Sequence, residues 1–70
     1  MSGYREFRHY SPLMGCEAAR LSMVDERGGE FYCIVPVEYP ARLYRERRDV
    51  ALDALEAAIM ARREPGEVTV

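Results

Sequence analysis

Hydrophobic and polar positions are most sharply organised in "EFYCIVPVEY", Glu30 to Tyr39. There Phe31, Cys33, Val35 and Val37 fall on one side and Tyr32 and Ile34 on the other. Aromatic and β-branched content between turn residues predicts a strand. This strand is apolar on both faces, and a helix can cover only one of them. The second face then needs its own cover, either an N-terminal arm carrying Tyr4, Phe7 and Tyr10 or another subunit. Pro36 has no N–H to give to a ladder, which predicts an open sheet edge near the strand's end where a partner could add.

Upstream, "ARLSMVDE" (Ala19 to Glu26) alternates with Leu21 and Met23 on one face and predicts a strand. Arg27-Gly28-Gly29 supplies the turn between the two, because paired glycines admit positive φ. Tyr4 to Tyr10 fits a short strand or an arm equally well, Ser11-Pro12 ends it, and Leu13 to Ala18 reads as irregular. Downstream, Asp49 to Arg63 predicts a helix, with Asp49 as N-cap candidate and two arginines at the negative end of its dipole. At about 100° per residue, Ala51, Leu52, Leu55, Ala58 and Ile59 form a core stripe, opposite Asp49, Asp53, Glu56 and Met60. After Pro65-Gly66, "EVTV" reads as a short strand.

The stretch "YPARLYRERRD" is ambiguous. Pro40 suits a first helical turn, and Leu43 and Tyr44 could prolong the stripe. A helix there, however, places Arg42, Arg45, Arg47 and Arg48 at the positive end of the dipole, at a cost of about 0.3–1 kcal/mol for each exposed cation. The alternative is a third strand, Ala41 to Glu46, turning into the helix near Arg48-Asp49.

Seventy residues make one domain. Cores of this size seldom supply more than about 3–5 kcal/mol, so a partner surface or a homo-oligomer is expected. The chain is 49% hydrophobic and 31% charged, which suits a folded protein. No stretch resembles a signal peptide or the roughly 18 apolar residues of a membrane span, so a cytoplasmic location without membrane contact is expected. Cys16 and Cys33 are too few and too far apart for a zinc site or a redox pair, and free thiols are expected.

Candidate chemistry is sparse. His9, between Arg8 and Tyr10, has no nearby nucleophile or orienting carboxylate. Asp25, Glu26, Glu30 and Glu38 surround the hairpin, but their spacing enforces no convergence on a cation. No catalytic, metal or cofactor site is expected, and no enzymatic activity. The arginine cluster has two functional readings. As a nucleic-acid site, Arg42, Arg45, Arg47 and Arg48 would take phosphates and Tyr44 a base. Residues 40–48 carry four arginines against Glu46, a net of +3. Residues 49–70 carry five acids against two arginines (−3), and residues 1–39 six acids against four arginines (−2). No extended basic stripe exists, which argues against nucleic acid. As a protein interface, Arg42, Tyr44, Arg45, Arg47, Arg48, Asp49, Asp53 and Glu56 form a two-signed surface for an oppositely patterned partner.

"GGEFYCIVP", followed by "ALDALEAAI", resembles the HicB family of antitoxins and its stand-alone relatives. The matching positions are Gly28, Gly29, Phe31 or Tyr32, Val35, Pro36, Ala51, Leu52, Ala58 and Ile59. The resemblance implies an α+β domain: a small antiparallel sheet of about three strands plus a short C-terminal strand, packed on one helix as an incomplete RNase H-like arrangement. Residues 18–70 then form a single β-β-β-α-β domain and residues 1–17 an arm or extra strand. It decides for strand at Ala41 to Glu46. It also implies a binding role, since HicB proteins mask a small RNA-cleaving toxin. The DNA-binding domain that often follows has no counterpart here, so direct operator binding is not expected. The rival reading is a phage-encoded inhibitor of a bacterial defence complex, of the anti-CRISPR type. In it Asp49, Asp53, Glu56, Glu64 and Glu67 would imitate phosphates. A third is a nucleic-acid-binding module resting on the Arg42–Arg48 cluster.

Overall fold

The computed structural model describes residues 3–70. Its elements run β1 (Arg5–Ser11), β2 (Cys16–Val24), β3 (Glu30–Pro36), α1 (Ala41–Met60) and β4 (Gly66–Glu67). The four strands form one sheet in the order β1-β2-β3-β4. The first three make an antiparallel meander, while β4 lies parallel to β3. A parallel neighbour can be reached only by a crossover, and α1 is that crossover. The class is α+β, as expected, but the sheet is mixed.

Side-chain alternation builds the core. Phe31, Cys33 and Val35 on β3 stand opposite Met23, Leu21 and Ala19 on β2. They pack under Tyr44, Ala51, Leu55 and Ala58 of α1, with Leu52 and Ile59 half-buried at the margin. The helical stripe thus faces the sheet as its spacing predicts. Asp25 holds the β2–β3 turn: its Oδ1 accepts the Arg27 N–H at 2.9 Å and the Gly29 N–H at 2.7 Å. Gly28 supplies a φ of 82°. Gly29 is required for space instead, because a Cβ there would lie 2.5 Å from Pro65 Cγ.

Two expectations are corrected. Ala41 to Glu46 is not a third strand but the first part of α1, which starts after Pro40 and leaves Asp49 exposed in mid-helix. The reason is burial. Tyr44 lies seven residues before Ala51, in phase with the stripe, and is 4% exposed. Burying a large apolar side chain gains about 1.5–3 kcal/mol, more than a single misplaced arginine costs. The place of the third strand is taken by Arg5–Ser11. The N-terminal segment therefore does not fold over the second face of β3; it extends the sheet sideways. Positions 1 and 2 of the predicted arm lie outside the described residues.

The helix also ends earlier than predicted, at Met60. Arg62 adopts a φ of 56°. Its N–H bonds the Ile59 carbonyl, and the Arg63 N–H bonds that of Ala58, both at 3.1 Å. This pair of bonds is a Schellman stop with arginine where glycine is usual. Of "EVTV", only Glu67 belongs to a strand, and the Val68 N–H continues the ladder to the Tyr32 carbonyl at 2.7 Å. Among the described residues no helix is long and apolar enough to cross a membrane.

Candidate interaction surface

With α1 on one side of the sheet, the other side carries Phe7 and His9 of β1, Arg20 of β2, and Tyr32 and Ile34 of β3, all in register. No element among the described residues covers this face. Phe7, 66% exposed, stacks on His9 with ring centroids 5.9 Å apart. The Arg20 guanidinium lies 4.1 Å from the centre of the Tyr32 ring and bonds Glu30 Oε2 at 3.2 Å. These contacts hold the Phe7, Arg20 and Tyr32 side chains in preset positions. Their sum of charge is near zero, because Glu30 and, on β4, Glu67 offset Arg5 and Arg20.

The predicted arginines, with Tyr44, Asp49, Asp53 and Glu56, lie on α1, but they do not form one site. Helical spacing puts Arg42, Arg45, Asp49, Asp53 and Glu56 on the outward stripe, basic at its start and acidic beyond. Arg47 turns to one flank and pairs with Glu38 at 3.4 Å. Arg48 turns to the other, half-buried, 3.7 Å from Asp49. Tyr44 belongs to the core, so its ring is not available to a base or a partner. Arg47 and Arg48 sit within the second turn of a helix, not at the strand-to-helix junction that the resemblance implies. Glu64 lies in the loop beyond Arg63 and Glu67 on β4, apart from the acids of α1. A continuous phosphate-like array is therefore not built.

A charged cluster closes the helix side of β1. Arg8 Nε bonds Glu6 Oε2 at 2.9 Å, and the Arg8 guanidinium lies 5.0 Å from the centre of the Tyr44 ring. Burial works to raise the Glu6 carboxyl. Hydrogen bonding from Arg8 and Tyr44 and the charges of Arg8 and Arg48 outweigh it, leaving Glu6 below its ordinary value. The Tyr44 hydroxyl closes no hydrogen bond of good geometry. Burial and the neighbouring Glu6 carboxylate nonetheless push its pKa up.

The β3 edge is open past Tyr32, because β4 pairs only with Phe31 and Tyr32. Pro36, with no N–H, lies in that open part, as predicted. Beside it runs a groove of about 390 Å³ with Ile34, Pro36, Val50, Val68 and Val70 among its walls. The carboxylates around the hairpin are held apart: Asp25 caps its own turn, Glu30 meets Arg20 and Glu38 meets Arg47. Among the described residues no three His, Cys, Asp or Glu side chains are placed to hold a metal ion. Cys16 and Cys33 are both free, and burial, with the charge of Glu67, pushes the Cys33 thiol up.

The sheet face was not among the predicted site residues. Its signal was present in the two-sided apolarity of β3, but Phe7, His9 and Arg20 become neighbours of Tyr32 and Ile34 only through the pairing register. Comparison with known proteins finds no matching family model, no matching curated protein and no matching solved structure.

Proposed function

We propose that the chain is a non-catalytic protein-binding module that acts by occupying a folded protein partner with the uncovered face of its sheet. One observation carries this reading: the sheet has a single helical layer, and its other face presents Phe7, Arg20, Tyr32 and Ile34 to solvent or half to it. Aromatic and arginine side chains dominate binding at protein interfaces, and those on this face are already held in place by their own contacts. The near-zero charge of the face favours a protein over a nucleic acid, whose affinity rests on unopposed cations. Tyr32 is also covered by Arg20, which leaves no free stacking plane for a base.

The resemblance to HicB antitoxins supplies the most concrete partner, a small RNA-cleaving toxin, and the binding role is what the two have in common. The helix at Ala41 to Glu46 departs from that family's strand, so the fold adds no weight to this choice of partner. The test is capture of partners from lysate by the tagged chain, read by mass spectrometry, with Phe7→Ala/Tyr32→Ala and Arg42→Glu/Arg45→Glu variants in parallel. The reading requires a specific partner that the sheet-face variant loses and the helix variant keeps. A partner lost only by the helix variant would move the interface to α1. Co-expression that leaves an adjacent toxin's growth arrest untouched would remove the antitoxin identity. Binding of labelled RNA or DNA that weakens with salt would replace the protein reading altogether.

A further inference from the structure

We infer that two copies of this chain join edge to edge through β1, antiparallel about a two-fold axis at Phe7, to give one continuous eight-stranded sheet. The inference does not depend on which partner the open face takes.

It starts from where the backbone groups of β1 point. The Val37 N–H bonds the Glu17 carbonyl, and the Asp25 N–H bonds that of Gly29. On β2, then, the odd-numbered residues bond β3 and the even-numbered ones bond β1. The pairings Arg5↔Ser22, Phe7↔Arg20 and His9↔Ala18 make the odd-numbered residues of β1 the inward ones. Glu6, Arg8 and Tyr10, and by the same alternation Tyr4 just before the strand, are left with N–H and C=O directed away from the sheet. No neighbouring strand takes them, since β1 ends the strand order.

A long uncovered edge is a template for another strand unless something blunts it. Here the charges that could blunt it also choose a mate. In an antiparallel self-pairing, outward residues must face outward residues, which restricts the two-fold axis to a residue rather than a gap between residues. An axis at Glu6 sets Glu6 against Glu6, and an axis at Arg8 sets Arg8 against Arg8, both repulsive. The axis at Phe7 pairs Glu6 with Arg8 of the second copy, twice, and Tyr4 with Tyr10, twice. These are the close hydrogen-bonded pairs and give about eight new backbone hydrogen bonds. Phe7, 66% exposed in the single chain, then meets Phe7 of the second copy in a non-hydrogen-bonded pair, where side chains approach closest. Charge complementarity and aromatic pairing thus favour this register over those centred on Glu6 or Arg8. The small core provides the reason to associate, and the joined sheets double the open face.

The test is site-directed disulfide formation in a Cys16→Ser/Cys33→Ala background, where the only thiol is the one introduced. Phe7→Cys, at an exposed site, should give a crosslinked dimer under mild oxidation, since the register brings the two Cβ atoms within disulfide reach. Arg5→Cys, on the same face but opposite His9 of the second copy, should not. Sedimentation of the unaltered chain should show twice the 8.1 kDa monomer mass. Glu6→Arg should weaken association at least tenfold, and Glu6→Arg/Arg8→Glu should restore it, with circular dichroism confirming that each variant is folded. A monomer at millimolar concentration, equal crosslinking at positions 5 and 7, or a charge swap that fails to rescue would overturn the inference.

Discussion

The Arg8 guanidinium rests 5.0 Å from the centre of the Tyr44 ring, joining the edge strand β1 to the opening turns of α1. These segments are the two whose structure the pattern of the chain left open, and each gives the other a packing surface. An exposed cation–π contact is worth about 0.5–1 kcal/mol. Arg8→Ala should therefore lower the unfolding free energy by about that amount in a denaturant titration. Tyr44→Phe should cost little or nothing, because the hydroxyl it removes has no hydrogen-bond partner of good geometry. A loss above about 2 kcal/mol for Tyr44→Phe would mean that this hydroxyl is firmly bonded to Glu6.

The same cluster sets a pH dependence at both extremes. Glu6 is held below its ordinary value of 4.5, so the stability it contributes is present above that pH and lost as pH falls through the lower folded value. Tyr44 and Cys33 are raised above 10.0 and 9.0, so the folded chain favours their neutral forms. Their contribution is complete below those values and lost as pH rises through the higher folded ones. Thermal melts from pH 3 to pH 11 should show a plateau between these limits. Tyr44→Phe should reduce the alkaline fall and, because Tyr44 helps to hold Glu6 down, soften the acid one as well.

Much of this fold was legible because burial writes periodicity into sequence. Phe31, Cys33 and Val35 alternate, Ala51, Leu55 and Ala58 recur at helical spacing, and both patterns point to the core they form. Tyr44 carries the same helical phase, and its burial outweighs the dipole's cost for an arginine in the first turn. β1, which the pattern left open between strand and arm, was ambiguous for a different reason. Its helix side bears Glu6 and Arg8 and its open side Phe7 and His9, so no apolar alternation marks it. The open face and the free edge depend on register between strands, which no single segment encodes.

Arg62 holds a φ of 56° at the helix stop, a conformation that costs a side-chain-bearing residue about 1–2 kcal/mol. Glycine takes it freely but loses more backbone entropy on folding. Arg62→Gly should stabilise the chain by about 0.5–1 kcal/mol, raising Tm by several degrees for a domain of this size. The cost of glycine elsewhere can be checked at Arg63, beyond the positive-φ position, where the same substitution should lower Tm or leave it unchanged. A drop at position 62 would show that the Arg62 side chain makes a contact worth more than the strain.

Leu55 is fully buried beneath the C-terminal half of α1, in contact with the core that β2 and β3 line. Truncating a buried leucine to alanine costs about 2–5 kcal/mol. A core of this size seldom supplies more than about 3–5 kcal/mol in total. Leu55→Ala should therefore unfold the isolated chain at 25 °C, seen as loss of the cooperative thermal transition. If the two copies associate through β1, raising the protein concentration should recover part of the folded signal, because association draws the equilibrium toward the folded state. The same variant carrying Arg8→Pro removes an outward donor of β1 and should show no such recovery.

Arg42 stands in the first turn of α1, exposed, where the dipole disfavours a cation and no side chain caps the helix. Arg42→Glu exchanges an unfavourable charge for a favourable one, while placing a like charge four residues before Glu46. The first effect is the larger, so the substitution should stabilise the chain by about 0.5 kcal/mol, a Tm rise of a few degrees that shrinks in high salt. Partner capture should be unchanged if the open sheet face, on the far side from α1, is the docking surface. A variant that melts higher yet loses its partner would show that Arg42 is retained for contact at a cost in stability. That outcome would return the interface to the helix.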